Sequence, residues 1–345
     1  MKVKADLSYI FKNLPGTATI LITGVAGSTG SICAELLVNS GYNVVGVDNM
    51  FNGFDRNMAD FKSNPNFSFY QEDILDENRM EQLFEAFEPD YVIHAAAYVH
   101  TSLFYNAVTD TYLNNVEGTK VIMDLAVKYN VKKFLLCSTS EAYGDMQTFP
   151  ATAQELSHFH SPLETPRWSY AVGKLMGEHL ARDYNNKYDT DFIICRYANL
   201  YGDKDLGEEE DAHLAPHVMK SIICKGKLTL TNGSDTRMRS MLHSFDAATG
   251  TLACMVNGKP GHIYNLGASE ESTVKEFAQF TMATVGYSVP IEYKGDRAGD
   301  PERRLLDTSE TTEHTGWTQT ISLEEGLLSL WEKMMNRWTN KGQVL

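Results

Sequence analysis

The sequence predicts an α/β fold, in which a doubly wound parallel sheet is followed by a smaller C-terminal α/β lobe. In the first part of the chain, short β-branched runs alternate with longer amphipathic segments, which is the spacing of βαβ units. This regularity ends after Tyr201, where the acidic run 208–211 and turn signals follow. The 345 residues also exceed what one hydrophobic core usually holds. We therefore expect an N-terminal extension over 1–17, the sheet domain over 18–200, and mainly the second lobe over 201–345.

Six apolar runs are predicted as strands, and four amphipathic segments as crossover helices. Each helical segment is long enough to carry the chain back across the sheet, as a parallel connection requires. The predicted strands are Thr19–Thr23, Asn43–Asp48, Phe67–Tyr70, Tyr91–His94, Lys133–Ser138 and Asp191–Arg196. The predicted helices are Ser28–Ser40, Glu77–Phe87, Tyr105–Tyr129 and Ser169–Tyr188.

The charge of the chain argues against two classes of partner. The chain carries 30 basic and 45 acidic residues, a net charge of −15, which repels the phosphates of nucleic acids and of anionic membranes. No apolar run approaches the length of a membrane span, and charged residues interrupt the segment 1–17, where a signal peptide would lie. We therefore expect a cytoplasmic protein that binds a small molecule, neither nucleic acid nor membrane.

The five cysteines predict free thiols and no metal site. They are odd in number, widely spaced and embedded in apolar runs, and the sequence contains neither a CxxC pair nor a Cys/His ligand pattern. Cysteines in such surroundings act as small core residues. We therefore expect a reduced protein without a bound metal.

A glycine-rich turn follows the first predicted strand, and its residues are Gly24, Gly27, Ser28, Thr29 and Gly30. Glycines in a GxxGxxG pattern permit a tight turn and a close approach of the backbone to a pyrophosphate, whose charge the helix N-terminus stabilises. The next strand ends in Asp48, about 20 residues further on, where a carboxylate accepts hydrogen bonds from ribose hydroxyls. The pattern predicts a dinucleotide site that prefers NAD to NADP, because Asp48 would repel a 2′-phosphate.

Three clusters of small or polar residues follow predicted strands. Ligands of an open α/β sheet bind outside the carboxyl ends of its strands, so residues just after a strand are candidates for the site. Ala95 and Ala96 come after the fourth strand, and the hydroxyl-rich segment 138–144 comes after the fifth. Tyr170 and Lys174 open the next helix and lie on one face of it, at positions i and i+4.

A Tyr–Lys pair at this spacing has a catalytic mechanism. The ammonium group stabilises the phenolate, lowers the tyrosine pKa from about 10 and lets the tyrosine act as a base near neutrality. Tyr129 and Lys133 share the spacing, but they lie where a helix leads into the amino end of the fifth strand. We therefore assign the catalytic role to Tyr170 and Lys174, which follow a loop from the correct edge of the sheet.

Taken together, the motifs resemble the extended short-chain dehydrogenases/reductases, in the group of NAD-dependent nucleotide-sugar epimerases and dehydratases. The resemblance covers about residues 18–335. It is carried by TGVAGSTG (23–30), VDN (47–49), DI (73–74), HAAA (94–97), NNVEGT (114–119), STSEAYG (138–144), YAVGK (170–174), RYANLYG (196–202), MRSMLH (238–243), YNLG (264–267) and the stretch 296–304.

This resemblance implies a Rossmann-type domain that holds NAD and a C-terminal lobe that holds a nucleoside diphosphate sugar, linked to UDP, dTDP, GDP or CDP. It also implies chemistry through transient oxidation at sugar C4, with Thr139, Tyr170 and Lys174 as the hydride-transfer triad. The implied cofactor contacts, besides the glycine-rich turn, are Asp48, Asn49, Asp73, Ile74, Ala95, Ala96, Tyr170 and Lys174. The implied substrate contacts are Ser140, Asn199, Arg239, Arg297 and Arg303.

Two assignments near the substrate stay open. Of Arg303 and Arg304, one is expected to reach the substrate and the other to pair on the surface, and Arg303 is the one assigned here. His100 either lines the sugar site or is a hydrogen-bonded structural residue.

The segment Thr139-Ser140-Glu141 bears on which reaction the family member performs. Simple 4-epimerases resemble Ser-x-Thr here and need no further acid or base, whereas a carboxylate beside a 4-ketone can remove the C5 proton in 4,6-dehydration or position a uronate for decarboxylation. Thr-Ser-Glu resembles GDP-mannose dehydratases and UDP-glucuronate decarboxylases, and departs from the Thr-Asp-Glu of dTDP-glucose dehydratases. Pro166-Arg167-Trp168 resembles some decarboxylases, and Leu214-Ala215-Pro216 resembles dehydratases and epimerases.

The expected order of these reactions is 4,6-dehydration with Glu141 as the C5 base, then 4-epimerisation, then decarboxylation. A non-catalytic NAD-binding regulator is the alternative from another class. Such a protein would be free to lose Thr139, Tyr170 or Lys174, and the chain keeps all three.

The family also implies an assembly. Its members pair two long helices of each subunit into a four-helix bundle, which here would be Tyr105–Tyr129 and Ser169–Tyr188. Both segments carry more apolar residues than one subunit needs for its own core. We therefore expect a homodimer.

Overall fold

The computed structural model describes residues 7–207, 212–224, 226–296 and 299–340. The acidic run 208–211, expected to be a solvated loop, and Arg297 lie outside these residues. The strands are β1 (Thr19–Thr23), β2 (Asn43–Val47), β3 (Phe67–Tyr70), β4 (Tyr91–His94), β5 (Lys133–Cys137), β6 (Asp191–Tyr197), β7 (Asn199–Tyr201), β8 (Leu228–Leu230), β9 (Met238–His243), β10 (Ile263–Leu266), β11 (Glu271–Thr273), β12 (Ile291–Tyr293) and β13 (Arg303–Arg304).

The helices of the described residues vary widely in length. The α-helices are α1 (Ser8–Phe11), α2 (Ser28–Asn39), α3 (Asp55–Met58), α4 (Glu77–Phe87), α5 (Thr101–Asn106), α6 (Val108–Tyr112), α7 (Thr119–Lys128), α8 (Trp168–Lys187), α9 (Leu214–Ile223), α10 (Ser244–Asn257), α11 (Val274–Val285), α12 (Ser309–Thr315) and α13 (Leu323–Asn340). A π-helix spans Leu113–Gly118, and a 3₁₀ helix spans Ser140–Tyr143. Within the described ranges, no helix is both long enough and apolar enough to cross a membrane.

The main sheet confirms the predicted doubly wound α/β fold. Its strands are all parallel and run in the order β10-β6-β5-β4-β1-β2-β3. The six predicted strands are present, although β2 and β5 end before Asp48 and Ser138, and β6 continues to Tyr197. Both faces are covered, because successive side chains of a strand point to opposite sides. In β1, Ile20 packs in the layer that holds α2 and α10, and Leu21 packs in the layer that holds α4, α7 and α8.

The prediction of six strands was wrong, because β10 adds a seventh within the described residues. Although it lies in the range expected to form the second lobe, β10 pairs in parallel with β6. The preceding helix α10 is buried along almost its whole length and packs against α2. The segment from Ser244 to Leu266 therefore completes the sheet domain. At the other end of the chain, α1 also packs on α10 and buries Ile10.

The predicted helix Tyr105–Tyr129 is divided into α5, α6, the π-helix and α7. The π-helix carries Asn114 and Asn115, which are both buried. Asn115 accepts a hydrogen bond from the amide of Tyr98 at 2.8 Å and donates one to its carbonyl at 3.0 Å, so it ties the helix to the loop after β4. A buried pair of asparagines in a wider turn leaves no signal in the apolar periodicity from which a continuous helix was predicted.

The C-terminal lobe is built around β9. This strand pairs antiparallel with β11 and parallel with β7 and β13, while β8 and β12 form a separate parallel pair. Helices α9, α11 and α13 enclose the apolar core of the lobe, with Met219, Phe277 and Leu330 at its centre. The lobe thereby places β9 and the loop before β13 against the sheet domain.

A buried ion pair joins the catalytic helix α8 to the sheet. Arg196 in β6 donates from Nε to the two carboxylate oxygens of Glu178 in α8, at 2.9 and 3.2 Å, and both side chains are about 4% exposed. The hydroxyl of Ser138, at the end of β5, donates to the same carboxylate. Because charges so far from water need partners, each group depends on the other to remain ionised in the core.

Replacing Glu178 with glutamine should destabilise the protein strongly. The change keeps the shape but leaves the guanidinium of Arg196 without a counter-charge, which typically costs about 3–5 kcal/mol. Asp183→Asn is the matched control on the same helix, because Asp183 pairs with Lys187 in a half-exposed position, and such pairs contribute about 0–1 kcal/mol. Urea unfolding measures the free energy of unfolding of both variants. Equal decreases in the two variants would contradict the stabilising role of the buried ion pair.

Candidate active site

A cavity of about 780 Å³ opens at the carboxyl ends of the central strands. Its walls include residues that directly follow β1, β2, β4, β5 and β6. Opposite them, the C-terminal lobe contributes residues such as His217, Leu230 and Arg239. The cavity lies where the open parallel sheet predicts a ligand, between the sheet domain and the lobe.

The glycine-rich turn forms one end of this cavity. Gly24 has a φ of +71°, and a Cβ atom there would lie 2.6 Å from the amide nitrogen of Ala96. A Cβ atom on Gly30 would lie 2.3 Å from the carbonyl oxygen of Gly24. Neither position therefore accepts a side chain. Gly27 precedes α2, whose first residues Ser28 and Thr29 line the cavity, so the N-terminus of the helix faces the space.

Asp48 lies in the cavity wall beside this turn. Its carboxylate accepts hydrogen bonds from the amides of Ala26 at 2.9 Å and Met50 at 2.8 Å, which fixes its orientation. Burial raises the pKa of this carboxyl, although the two amides lower it. Each oxygen retains a lone pair for a ribose hydroxyl.

Of the implied cofactor contacts that follow β2 and β3, some line the cavity and one lies behind its wall. Asn49 and Ile74 line the cavity. Asp73, another implied cofactor contact, accepts hydrogen bonds from Asn49 Nδ2 at 3.0 Å and from the Leu75 amide at 2.9 Å. Asp73 therefore supports Asn49 from behind the wall of the cavity.

The predicted triad comes together in the middle of the cavity. Thr139, Tyr170 and Lys174 all line it, and Tyr170 stacks on Phe104 with 4.4 Å between the ring centres. Lys174 donates from Nζ to the carbonyl of Cys137 at 2.8 Å. Tyr129 and Lys133, the second pair with this spacing, lie elsewhere: Tyr129 bonds to Glu81, and Lys133 bonds to Val256.

The electrostatics of the triad differ from the expectation. Burial raises the pKa of Tyr170, the charge of Glu141 adds to the rise, and the hydrogen bond with Thr139 opposes it. Burial lowers the pKa of Lys174 to about 8. The expected lowering of the tyrosine pKa by Lys174 is therefore wrong for the protein without ligands. The phenol is protonated in this state, and a bound cation would be needed to favour the phenolate.

Glu141 is held by guanidinium groups and is not a free carboxylate. Arg167 donates from Nη1 to Oε2 at 2.6 Å and from Nη2 to Oε1 at 3.2 Å, and Arg304 Nη2 lies 3.3 Å from Oε2. Burial alone would raise the pKa of Glu141, but Arg304 and Arg167 outweigh it and lower the pKa to about 2. The carboxylate is fully ionised near neutral pH and is a weak base.

A second carboxylate completes this cluster. Asp300 lies 3.3 Å from Arg239 Nη2 and 3.8 Å from Arg167 Nη2. The guanidinium groups of Arg167, Arg239 and Arg304 thus share two carboxylates, and Asp300 also lies 3.7 Å from Arg237 Nη1, which pairs with Asp296 and Glu302. We name five of these residues the arginine cluster, and they are Glu141, Arg167, Arg239, Asp300 and Arg304.

Neither of the two neighbouring arginines, Arg303 and Arg304, is among the residues that line the cavity. Arg303 points away from the cavity, pairs with Glu271 and lies over the ring of Phe149. Arg304 is 1% exposed and donates to the carbonyls of Ser140 at 3.0 Å and Gly144 at 2.6 Å. Side chains alternate along β13, so the two residues must face opposite sides.

The other predicted substrate residues lie in or near the wall. Ser140 and Asn199 line the cavity, and Asn199 donates from Nδ2 to the carbonyl of Ser240 at 3.2 Å. Ala95 and Ala96 line it as well. His100 is also in the wall and stacks on the ring of His213, so both of its assignments stay open.

Comparison with known proteins agrees with this geometry. The family model "NAD dependent epimerase/dehydratase family" matches residues 20–267. The chain belongs to this family. Its cofactor is NAD.

Relatives of the chain differ in the reactions that they perform. UDP-glucuronic acid decarboxylase 1 of Arabidopsis thaliana is 32% identical over 94% of this chain and 71% of its own length. The dTDP-D-glucose 4,6-dehydratase of Mus musculus is 29% identical over 94% of this chain and 92% of its own length. The UDP-glucose 4-epimerase of Thermotoga maritima, solved with UDP-glucose, superimposes with a TM-score of 0.85 at 28% identity, over 92% of this chain and 99% of that one.

The residues of this epimerase/dehydratase family member fit NAD. The glycines leave backbone space for a pyrophosphate, and Asp48 is oriented for a ribose. Asn52 Nδ2 is buried in the cavity wall without a hydrogen-bond partner among the described residues, which provides a further donor for the cofactor. NAD supplies the hydride acceptor when it is bound. Tyr170 and Lys174 line the same cavity and can transfer the proton of the substrate hydroxyl.

Sequence reasoning missed part of the site. Arg304 and Asp300 were not assigned to it, and Arg167 was noted only for a local resemblance. The alternation of side chains in a strand could have separated Arg303 from Arg304 only if the two-residue strand β13 had been recognised. The stacking of Phe104 on Tyr170 depends on how α5 meets α8 and has no sequence signal.

Tyr170→Phe should lower turnover of the nucleotide sugar by roughly 100- to 10,000-fold, the usual contribution of a positioned acid or base. The affinity for NAD should stay nearly unchanged, since the phenylalanine ring keeps the stack on Phe104. Tyr129→Phe, at the second pair with this spacing, is the matched control and should keep full turnover. The measurements are product formation and NAD titration. A comparable loss in both variants, or loss of NAD with an intact rate, would contradict the assigned role.

Proposed function

We propose that this enzyme decarboxylates a nucleoside diphosphate uronate, a sugar whose C6 is a carboxylate. The arginine cluster is the observation that carries the proposal. It lies beside Thr139 and Tyr170, holds Glu141 ionised and places the guanidinium group of Arg167 in the cavity wall. Guanidinium groups bind carboxylates through paired hydrogen bonds, so the cluster suits an anionic group at the end of the sugar.

The chemistry of such a substrate matches what the site offers. NAD held in the cavity would supply the hydride acceptor for C4 and the hydride donor for the final reduction, and Tyr170 would take the proton of the C4 hydroxyl. With C4 as a ketone, the C6 carboxylate is β to it. The C5–C6 bond then breaks, its electron pair moves to the ketone oxygen, and carbon dioxide leaves. A proton adds at C5 before C4 is reduced. Bond cleavage needs no base, because no C5–H bond is broken.

The geometry disfavours 4,6-dehydration, which the sequence placed first. Dehydration needs a base for the C5 proton, and the pKa of Glu141 is about 2 because Arg304 and Arg167 oppose its burial. A general base works best with a pKa near the working pH. The proposal therefore moves decarboxylation from third place to first.

A 4-epimerase is the second candidate. It breaks only the C4–H bond, so an ion-paired Glu141 does not hinder it, and the Thermotoga maritima enzyme shares the fold across almost its whole length. Glu141 and its two arginine partners would then serve no step of the reaction. A non-catalytic regulator is disfavoured, because Thr139, Tyr170 and Lys174 meet in one cavity.

The lobe formed mainly by residues 201–345 would bind the nucleoside diphosphate. Arg239 would reach from the arginine cluster to the diphosphate, which leaves Arg167 in the cavity wall for the C6 carboxylate. Asn199 would contact the diphosphate or the sugar. The Arabidopsis relative is named for UDP-glucuronic acid. We therefore take UDP-glucuronate as the first substrate to test.

Mass analysis of products from a panel of UDP-, dTDP-, GDP- and CDP-sugars, uronates included, checks the reaction. UDP-glucuronate should lose carbon dioxide, while UDP-glucose and dTDP-glucose should keep their masses. Arg167→Met should lower turnover of the uronate by about 10- to 100-fold, since a hydrogen bond to a charged group contributes about 1.5–3 kcal/mol. Arg79→Met, an exposed arginine on α4, is the control.

Other outcomes of the panel separate the candidates. Loss of water from a neutral hexose would overturn the proposal in favour of dehydration. Unchanged mass with inverted C4 would favour the epimerase. Glu141→Gln should lower decarboxylation only partly, whereas it should stop a dehydration that uses Glu141 as a base.

We also propose that the enzyme is a homodimer. Val108, Tyr112 and Leu113 are exposed on the divided helix, and Val172 and Met176 are exposed on α8. These two helical segments pack side by side, so their apolar residues form one continuous surface. A second copy that pairs the same surface would bury it in a four-helix bundle.

Charges introduced on this surface should separate the subunits. Val172→Glu together with Met176→Glu should give a monomer by light scattering, while the unmodified protein gives a dimer. Phe280→Glu, at an exposed apolar residue of α11, is the control and should stay dimeric. A monomeric unmodified protein at micromolar concentration would contradict the proposal.

A further inference from the structure

A second cluster of ligand-type side chains lies away from the active site. It consists of His262, which directly precedes β10, and of Glu310 and His314 on α12. Since all strands of the main sheet are parallel, the residue before β10 lies at the amino edge of the sheet. The active site lies at the opposite, carboxyl edge. We name these three residues the His–Glu–His cluster.

The cluster brings three metal-ligand atoms close together. Glu310 Oε1 lies 3.9 Å from His262 Nε2 and 4.0 Å from His314 Nδ1, and all three atoms lie within 4.8 Å of one another. Glu310 and His314 are at positions i and i+4, so one turn of α12 presents both on the same face. Ligands at about 2.1 Å around a tetrahedral ion are about 3.4 Å apart. The side chains of His262 and Glu310 are partly exposed and can rotate to close this gap.

The surroundings of the cluster favour a cation. Glu310 and His314 line a cavity of about 380 Å³, whose wall also contains Asp307 and Glu313. Three carboxylates therefore face this space. One basic group opposes them, because Lys259 Nζ lies 2.5 Å from His314 Nε2. His314 Nε2 accepts from this ammonium group, so the neutral ring carries its proton on Nδ1, which faces Glu310 and the hydroxyl of Tyr264, 3.1 Å away. A metal ion bound at Nδ1 would displace that proton.

We propose that the His–Glu–His cluster binds one divalent transition-metal ion of the Zn²⁺ type. Two imidazole nitrogens and one carboxylate oxygen are the donors that such ions prefer, whereas Mg²⁺ prefers oxygen donors alone. Water completes the coordination on the open side. The bound ion joins α12 to the segment before β10, so it stabilises the fold locally and takes no part in the reaction at the opposite edge of the sheet.

Calorimetric titration of the tag-free, NAD-loaded protein with ZnCl₂, after treatment with a chelator, tests the proposal. One Zn²⁺ should bind per chain with micromolar or tighter affinity, and MgCl₂ should give no heat of binding. His314→Ala and Glu310→Gln should each weaken binding at least about tenfold, as loss of a ligand does. Glu313→Gln, a carboxylate of the same helix outside the ligand set, should change the affinity less than about threefold.

A variant expected to bind Zn²⁺ more tightly shows that weaker binding in the other variants is not caused by misfolding. Lys259→Met removes the competing ammonium group, so it should strengthen Zn²⁺ binding, and Zn²⁺ should raise its melting temperature more than that of the unmodified protein. Zn²⁺ binding that survives both His314→Ala and Glu310→Gln would overturn the proposal. Absence of Zn²⁺ binding in the unmodified protein and in Lys259→Met would overturn it as well. Turnover of the nucleotide sugar should be unaffected by Zn²⁺ at one equivalent.

Discussion

The buried ion pair between Glu178 and Arg196 positions the catalytic apparatus. Glu178 lies one turn after Lys174 on α8, and Arg196 lies in β6, so the pair fixes the helix that carries Tyr170 and Lys174 against the sheet. The same carboxylate receives the hydroxyl of Ser138, and Arg196 also lies 4.1 Å from the ring centre of Tyr143. Tyr143 in turn donates to Asn265 of β10 at 2.7 Å. One charged contact in the core therefore connects α8, the segment after β5 and the last strand of the sheet.

This framework explains why the arginine cluster can hold its shape. Glu141 belongs to the short 3₁₀ helix between Ser138 and Tyr143, which the framework holds at both ends. Arg167 precedes α8, and Arg304 comes from β13 of the C-terminal lobe, so the cluster joins both parts of the protein across the cavity. The lobe thereby supplies Arg304, one of the two guanidinium groups that lower the pKa of Glu141. The family fold and the triad serve several reactions, and we propose that the arginine cluster selects among them here.

Much of the sheet domain could be predicted, because its signals are local. The alternation of apolar runs gave six strands of the main sheet, and the glycine turn, Asp48 and the Tyr170–Lys174 pair stand in fixed relation to those strands. The features that could not be predicted depend on contacts between distant parts of the chain. β10 joins the main sheet from the range expected to form the second lobe. The π-helix is held by the hydrogen bonds between Asn115 and Tyr98. Glu141 contacts Arg304 only because β13 packs beside the 3₁₀ helix. A carboxylate beside the triad looked like a base in the sequence, and its pKa is set by two arginines that the sequence does not place.

The central claim is that the sugar site selects an anionic hexose. Calorimetry on the NAD-loaded Tyr170→Phe variant, which binds without turnover, tests it most directly by comparing UDP-glucuronate with UDP-glucose. The two ligands share the nucleotide and differ only at C6, so the ratio of their dissociation constants isolates the contribution of the carboxylate. The account predicts that UDP-glucuronate binds at least about tenfold more tightly, as a charged hydrogen bond of about 1.5–3 kcal/mol requires. Equal affinities, or tighter binding of UDP-glucose, would contradict it.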